Sequence, residues 1–88
     1  MSYEVKVGPQ AKKELARLDR TLARRIRDRL RELVVNPFDP RLSKQLEMAP
    51  ERRYSRVGDW RLIFAVNEAE KTLEVAAIQH RSRVYKKV

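Results

Sequence analysis

The sequence predicts an α+β fold in two layers: an N-terminal strand, a helical hairpin, then a three-stranded antiparallel meander. Three observations carry this. Apolar residues recur every three to four positions from Ala11 to Val34, and from Arg52 onward they alternate. Between the runs fall Gly8-Pro9, Asn36-Pro37, Asp39-Pro40 and Gly58-Asp59, each a turn or helix-end signal. A hairpin with one apolar stripe and a sheet with one apolar face can bury them by packing on each other, so the order implies a two-layer sandwich.

Tyr3 to Val7 alternates and reads as a short first strand, which Gly8-Pro9 breaks. Proline suits a first helical turn, and Ala11, Leu15 and Leu18 share one face, so a helix is expected over about residues 9–18. Asp19 or Thr21 can cap a second helix. Its stripe is Leu22, Ile26, Leu30, Leu33 and Val34, with Arg24, Arg25, Arg27, Arg29 and Arg31 interleaved. Asn36-Pro37 ends it, because a residue before proline is pushed out of helical geometry. Residues 40–50 read as irregular, with Leu42 and Leu46 as anchors.

Strands are expected over Arg52–Val57, Trp60–Asn67 and Thr72–His80. Gly58-Asp59 makes the first turn in reversed order to the preferred Asp-Gly, and residues 68–71 make the second. Strand alternation puts Leu62, Phe64 and Val66 on the helix-facing side and Arg61, Ile63, Ala65 and Asn67 on the open side. Residues 81–88 form a short basic tail.

Composition narrows the function. Lys and Arg total 21 against 12 Asp and Glu, a net charge of +9 on 88 residues. Arginine outnumbers lysine 14 to 7, and guanidinium forks bind phosphates bidentately and stack on bases. Such a balance points to a polyanionic partner. A hydrophobic share of 42% argues against a disordered basic tail. Without cysteine there is neither a disulfide framework nor a thiolate metal site, and a single histidine weighs against a multi-histidine centre. No metal or other cofactor is expected. The longest apolar run, Leu62–Val66, is far shorter than the ~20 residues of a membrane span. Met1–Glu4 lacks the blocks of a signal peptide, so no membrane association and a cytoplasmic location are expected.

On the second strand Arg52, Tyr54 and Arg56 share parity, and a tight turn brings Arg61 near Arg56. The last strand runs into His80-Arg81, with Arg83 and Tyr85 just beyond. Like charges this concentrated cost stability unless paired, so the cluster suits phosphate binding better than folding.

The run Arg53-Tyr54-Ser55-Arg56-Val57-Gly58-Asp59-Trp60-Arg61-Leu62-Ile63-Phe64, followed by Ile78-Gln79-His80-Arg81 and Tyr85, resembles the RelE-like toxins of the RelE/ParE toxin–antitoxin superfamily. The resemblance covers the chain, which is read as one toxin domain over residues 1–88. It implies the toxin of a type II toxin–antitoxin system, a metal-independent mRNA endoribonuclease acting on the ribosome. There a ribose 2′-hydroxyl attacks the adjacent phosphate, leaving a 2′,3′-cyclic phosphate and a 5′-hydroxyl.

Arg61, Arg81 and Tyr85 match the family's functional positions, and His80 is a further catalytic candidate as a proton shuttle. Arg52, Arg53, Tyr54, Arg56 and Arg83 are the RNA-binding candidates. Arg52 and Tyr54 stand where some relatives carry a lysine pair, so the general base is left open. The implied partners are mRNA, the ribosome and a cognate antitoxin, the last forming a hetero-oligomer and acidic where it meets Arg24–Arg31 or the arginine-rich sheet face. Two other readings stay open: a ParE-like inhibitor of DNA gyrase, and a non-catalytic RNA-binding module. A toxin that has lost activity but still binds its antitoxin is a further alternative.

Overall fold

The computed structural model describes residues 2–84, the side chains of Arg83 and Val84 excepted. Its elements are β1 (Glu4–Val7), α1 (Pro9–Arg17), α2 (Arg20–Val35), β2 (Lys44–Gln45), β3 (Arg53–Val57), β4 (Trp60–Asn67), β5 (Thr72–His80) and α3 (Arg81–Val84). The two-layer α+β arrangement is the one expected, with helices on one face of a sheet ordered β1-β5-β4-β3-β2.

Helix α2 starts where Asp19 accepts a hydrogen bond from the Leu22 N–H at 2.8 Å, occupying an amide that the first turn leaves without a partner. Its buried residues Ala23, Ile26, Leu30 and Leu33 lie on one stripe, so the arginines between them face solvent or the sheet edge. Helix α1 approaches β5 closely because Gly8 precedes it: the Gly8 N–H donates to the Val75 carbonyl at 2.9 Å. A Cβ at Gly8 would lie 3.1 Å from that oxygen.

The core joins Ala11, Ile26, Leu30 and Leu33 of the helices to Val57, Leu62, Phe64, Leu73, Val75 and Ile78 of the sheet. Leu62 and Phe64 are fully buried, which fits the helix-facing side expected for them. At the β3–β4 turn Gly58 has φ of +60°, a region open to glycine at little cost, while Asp59 has a negative φ. Those signs are the ones a type II′ turn requires, with glycine at its first central position, which explains the reversed order.

The sheet exceeds the expected meander in three respects. β1 joins it parallel to β5, from Glu4 opposite Thr72 to Val7 opposite Val75. The segment expected to be irregular supplies β2, two residues paired antiparallel with β3, Lys44 opposite Tyr54 and Gln45 opposite Arg53. The third feature is a bulge in β5. Ile63 faces Ala77 while Phe64 faces Val75, so Ala76 has no partner across the ladder. An extra residue reverses side-chain parity beyond it. Leu73 and Val75 are core residues before the bulge, and Ile78 after it. Arg81, expected in the tail, opens the short helix α3. Among the described residues no helix is long and apolar enough to cross a membrane.

Candidate functional site

The face of the sheet opposite the helices carries the arginines. Ser55 and Val57 of β3 are buried against the helical layer, so Tyr54 and Arg56 point to the other side. Arg56 stands directly opposite Arg61 of β4. Two cations facing each other across a ladder repel. Arg61 is drawn over the Tyr54 ring instead, its guanidinium carbon 4.4 Å from the ring centroid. That contact stabilises by about 0.5–1 kcal/mol when exposed and fixes the direction of the guanidinium.

Tyr54 and Arg61 line a hollow of about 430 Å³, closed on one side by the segment from Lys44 to Met48. Arg52 lines a separate hollow on the same face, beside Ala65 and Glu74. Tyr54, Arg56 and Arg61 are thus brought together as expected, while Arg52 shares their face but lines a separate hollow.

Arg81 lies just past the end of the adjacent strand, at the start of α3. Arg61 pairs with Gln79, two residues before Arg81, and the Arg81 N–H donates to the Asp59 carbonyl at 2.7 Å, just past the last ladder pair. The Arg81 guanidinium lies 3.8 Å from the Asp59 carboxylate, with both side chains more than half exposed. An ion pair that long and that wet contributes little and is readily exchanged for another anion.

The bulge corrects the position of His80. Having passed Ala76, His80 shares the side of Ile78 and meets Trp60 edge to face, ring centroids 5.2 Å apart. Both rings line a cleft with Asp19, Leu22 and Arg25 of the helical layer. Its Nδ1 accepts from the Ser82 N–H at 3.2 Å and lies 2.9 Å from Ser82 Oγ. His80 therefore does not join Arg61.

Arg53 likewise faces away from Arg61. Its Nε donates to Ser43 Oγ at 2.9 Å and its Nη2 to the Ser43 carbonyl, while the guanidinium carbon sits 5.3 Å from the Phe38 ring centroid. It fastens the 37–43 loop to β3. Tyr85 and the Arg83 side chain lie outside the described residues.

One positioning residue went unseen in the sequence. Past the end of β1, Ile78 has no strand neighbour on that side, and Gln10 of α1 takes the strand's place. Gln10 Oε1 accepts from the Ile78 N–H at 3.0 Å and Nε2 donates to its carbonyl at 3.4 Å. Gln10 thus holds β5 just after its bulge and just before Arg81. A glutamine in a first helical turn carries no signal of such a role.

A family model described as the ParE toxin of type II toxin–antitoxin systems matches residues 5–85. The chain belongs to this family. It is a toxin of a type II toxin–antitoxin system, in the RelE/ParE superfamily. No curated protein sequence matches it.

Solved structures similar to this toxin include the archaeal RelE–RelB complex from Pyrococcus horikoshii, 28% identical with a TM-score of 0.79, covering 94% of this chain and 99% of that one. The RelBE2 toxin–antitoxin complex of Mycobacterium tuberculosis is 23% identical with a TM-score of 0.80, over 92% of this chain and 100% of that one. The isolated E. coli RelE toxin is 22% identical with a TM-score of 0.79, over 96% and 92%. The latter two likenesses are of fold.

Proposed function

We propose that this toxin is a metal-independent endoribonuclease that cuts mRNA on the ribosome, in the cytoplasm, and is held inactive by a cognate antitoxin. The observation that carries the reading is the Arg61–Tyr54 stack on a sheet face shared with Arg52 and Arg56, with Arg81 just past the end of the next strand. In the reaction the ribose O2′ forms a bond to phosphorus and the bond from phosphorus to O5′ breaks. One proton leaves O2′ and one arrives on O5′. Negative charge grows on the nonbridging oxygens, and guanidiniums already aimed at them stabilise that charge.

Arg61 and Arg81 take this part, Arg52 and Arg56 hold the flanking backbone, and Tyr85 stacks on a base or orients the nucleophile. Tyr54 keeps Arg61 aimed. His80, across the sheet, has no role in the proton transfers. The antitoxin partner is supported by the solved relatives, which include RelE–RelB and RelBE2 complexes.

The test is mapping of mRNA ends during translation with purified wild type, Arg61→Ala and Arg81→Ala. A cut that each substitution slows by about 10²–10³ is the expected result. Equal cutting by all three overturns it. The family match to ParE toxins favours a second reading, inhibition of DNA gyrase. Intact mRNA with arrested supercoiling selects that reading.

A further inference from the structure

The arginines of α2 do not all face solvent. Arg29 is three-quarters covered and turns back toward the sheet edge, where Nη1 donates to Ser55 Oγ at 2.8 Å and to the Arg56 carbonyl at 2.6 Å. Beside it lies a cleft of about 200 Å³ between α2, the 40–43 segment, β2 and β3. Four cations line it, Arg29, Arg41, Lys44 and Arg56, and no acidic residue does.

Two carboxylates lie behind this wall. Glu32 bonds Arg29 Nε, and Asp39 binds Arg41 through both oxygens. These hold the guanidiniums in place while leaving the charge of the cleft positive. The side chains of Lys44 and Arg56 make no hydrogen bond or ion pair among the described residues. Like charges gathered at a strand edge cost stability, and nothing in the core requires them.

The cleft is continuous with the Arg61 hollow, because Lys44 and Tyr54 line both. Lys44 faces Tyr54 across β2 and β3, so it belongs to the same face at the sheet's edge. A chain lying over Arg61 would round this edge to enter the cleft. Successive phosphates of one strand match such a path better than a single small anion.

We infer that this cleft is a second phosphate site, taking one phosphodiester of a single-stranded RNA that passes over Tyr54 from the Arg61 hollow. The inference rests on the reading that the open face binds RNA. Arg29 supplies a fixed guanidinium, Arg56 a second one in the same cleft, and Lys44 an ammonium shared by the two hollows.

The experiment measures binding of a short fluorescein-labelled single-stranded RNA to the full chain by anisotropy across a salt series. Wild type is compared with Lys44→Gln, and with Arg27→Gln as a control of equal charge on the exposed side of α2. Lys44→Gln should lower the slope of log K against log salt by roughly 0.7, the loss of one phosphate contact. Arg27→Gln should leave it near wild type. Circular dichroism checks that both fold. Equal changes in both variants overturn the site, since the cleft would then be only part of a general positive field.

Two competition arms fix the occupant. Displacement of the RNA by inorganic phosphate at concentrations too low to act through ionic strength would make this a free-phosphate site and overturn the assignment. So would an oligoglutamate peptide whose own binding loses as much from Lys44→Gln. If cleavage is absent but the Lys44 slope change stands, the nuclease reading falls and this site survives. If Arg61-dependent cleavage stands and Lys44→Gln binds RNA as wild type does, this site falls alone.

Discussion

Replacing Gln10 with alanine isolates the clamp on β5. The 3.0 Å bond from the Ile78 N–H is a full hydrogen bond, and the 3.4 Å bond to its carbonyl is near the outer limit. Removing the first costs about 1 kcal/mol and the second a fraction of that. The expected loss is about 1–1.5 kcal/mol, a fall in Tm of roughly 4–8 °C per kcal/mol for a domain of this size.

Amide hydrogen exchange gives the local reading. With its acceptor gone, the Ile78 N–H should exchange about five- to tenfold faster, at 1.4 kcal/mol for each factor of ten. Gln10→Glu keeps the acceptor, so Ile78 should stay protected although the carbonyl loses its donor. The reasoning is refuted if Gln10→Ala leaves Ile78 exchange unchanged, or if faster exchange spreads evenly through the sheet.

Three further predictions concern stability. Asp19→Ala removes the cap on Leu22 and should cost about 1 kcal/mol, read from the urea midpoint at unchanged slope. Gly58→Ala should cost about 1–2 kcal/mol through its φ of +60°, not through crowding, since the nearest Arg25 atom would be 3.5 Å from the new Cβ. The hydrogen bond from the Arg41 side chain, helped by the Arg41 backbone N–H, holds the Asp39 carboxyl below its ordinary value. A carboxyl with a depressed folded-state value contributes stability above its unfolded value and loses it as pH falls through the lower one. Wild type should therefore be more stable than Asp39→Asn at neutral pH, the gap closing below about pH 4 in thermal melts.

How far the sequence could be read depends on how many residues carry each signal. The α2 stripe from Leu22 to Leu33 and the alternation along β4 repeat over several turns or pleats, so both elements and their buried faces were legible. β2 has two residues, Lys44 and Gln45, too few to show any period. Val5 and Val7 announce a strand but not its neighbour, because the pairing with β5 is decided by Leu73 and Val75, far along the chain. The bulge was hidden because Ala76 and Ala77 are both small and neither resists the core or the solvent side. One unseen residue there was enough to carry His80 to the other layer. The cluster of Arg52, Tyr54, Arg56 and Arg61 was legible because it depends only on parity within two strands and on the two-residue turn between them. Arg53 was open to the same reasoning: its parity matches Ser55 and Val57, on the helix side.

The position of β5 in the sheet sets an order of events during synthesis. It lies between β1 and β4, so the first strand to emerge from the ribosome waits for the last before it has a neighbour. Pairings this distant along the chain form late and slowly. Arg52, Tyr54, Arg56 and Arg61 are translated earlier, but the ladder that steadies β4 and brings up Arg81 requires residues 72–80. A growing polypeptide thus lacks both the partner of β1 and the second neighbour of β4 until residues 72–80 are free to insert.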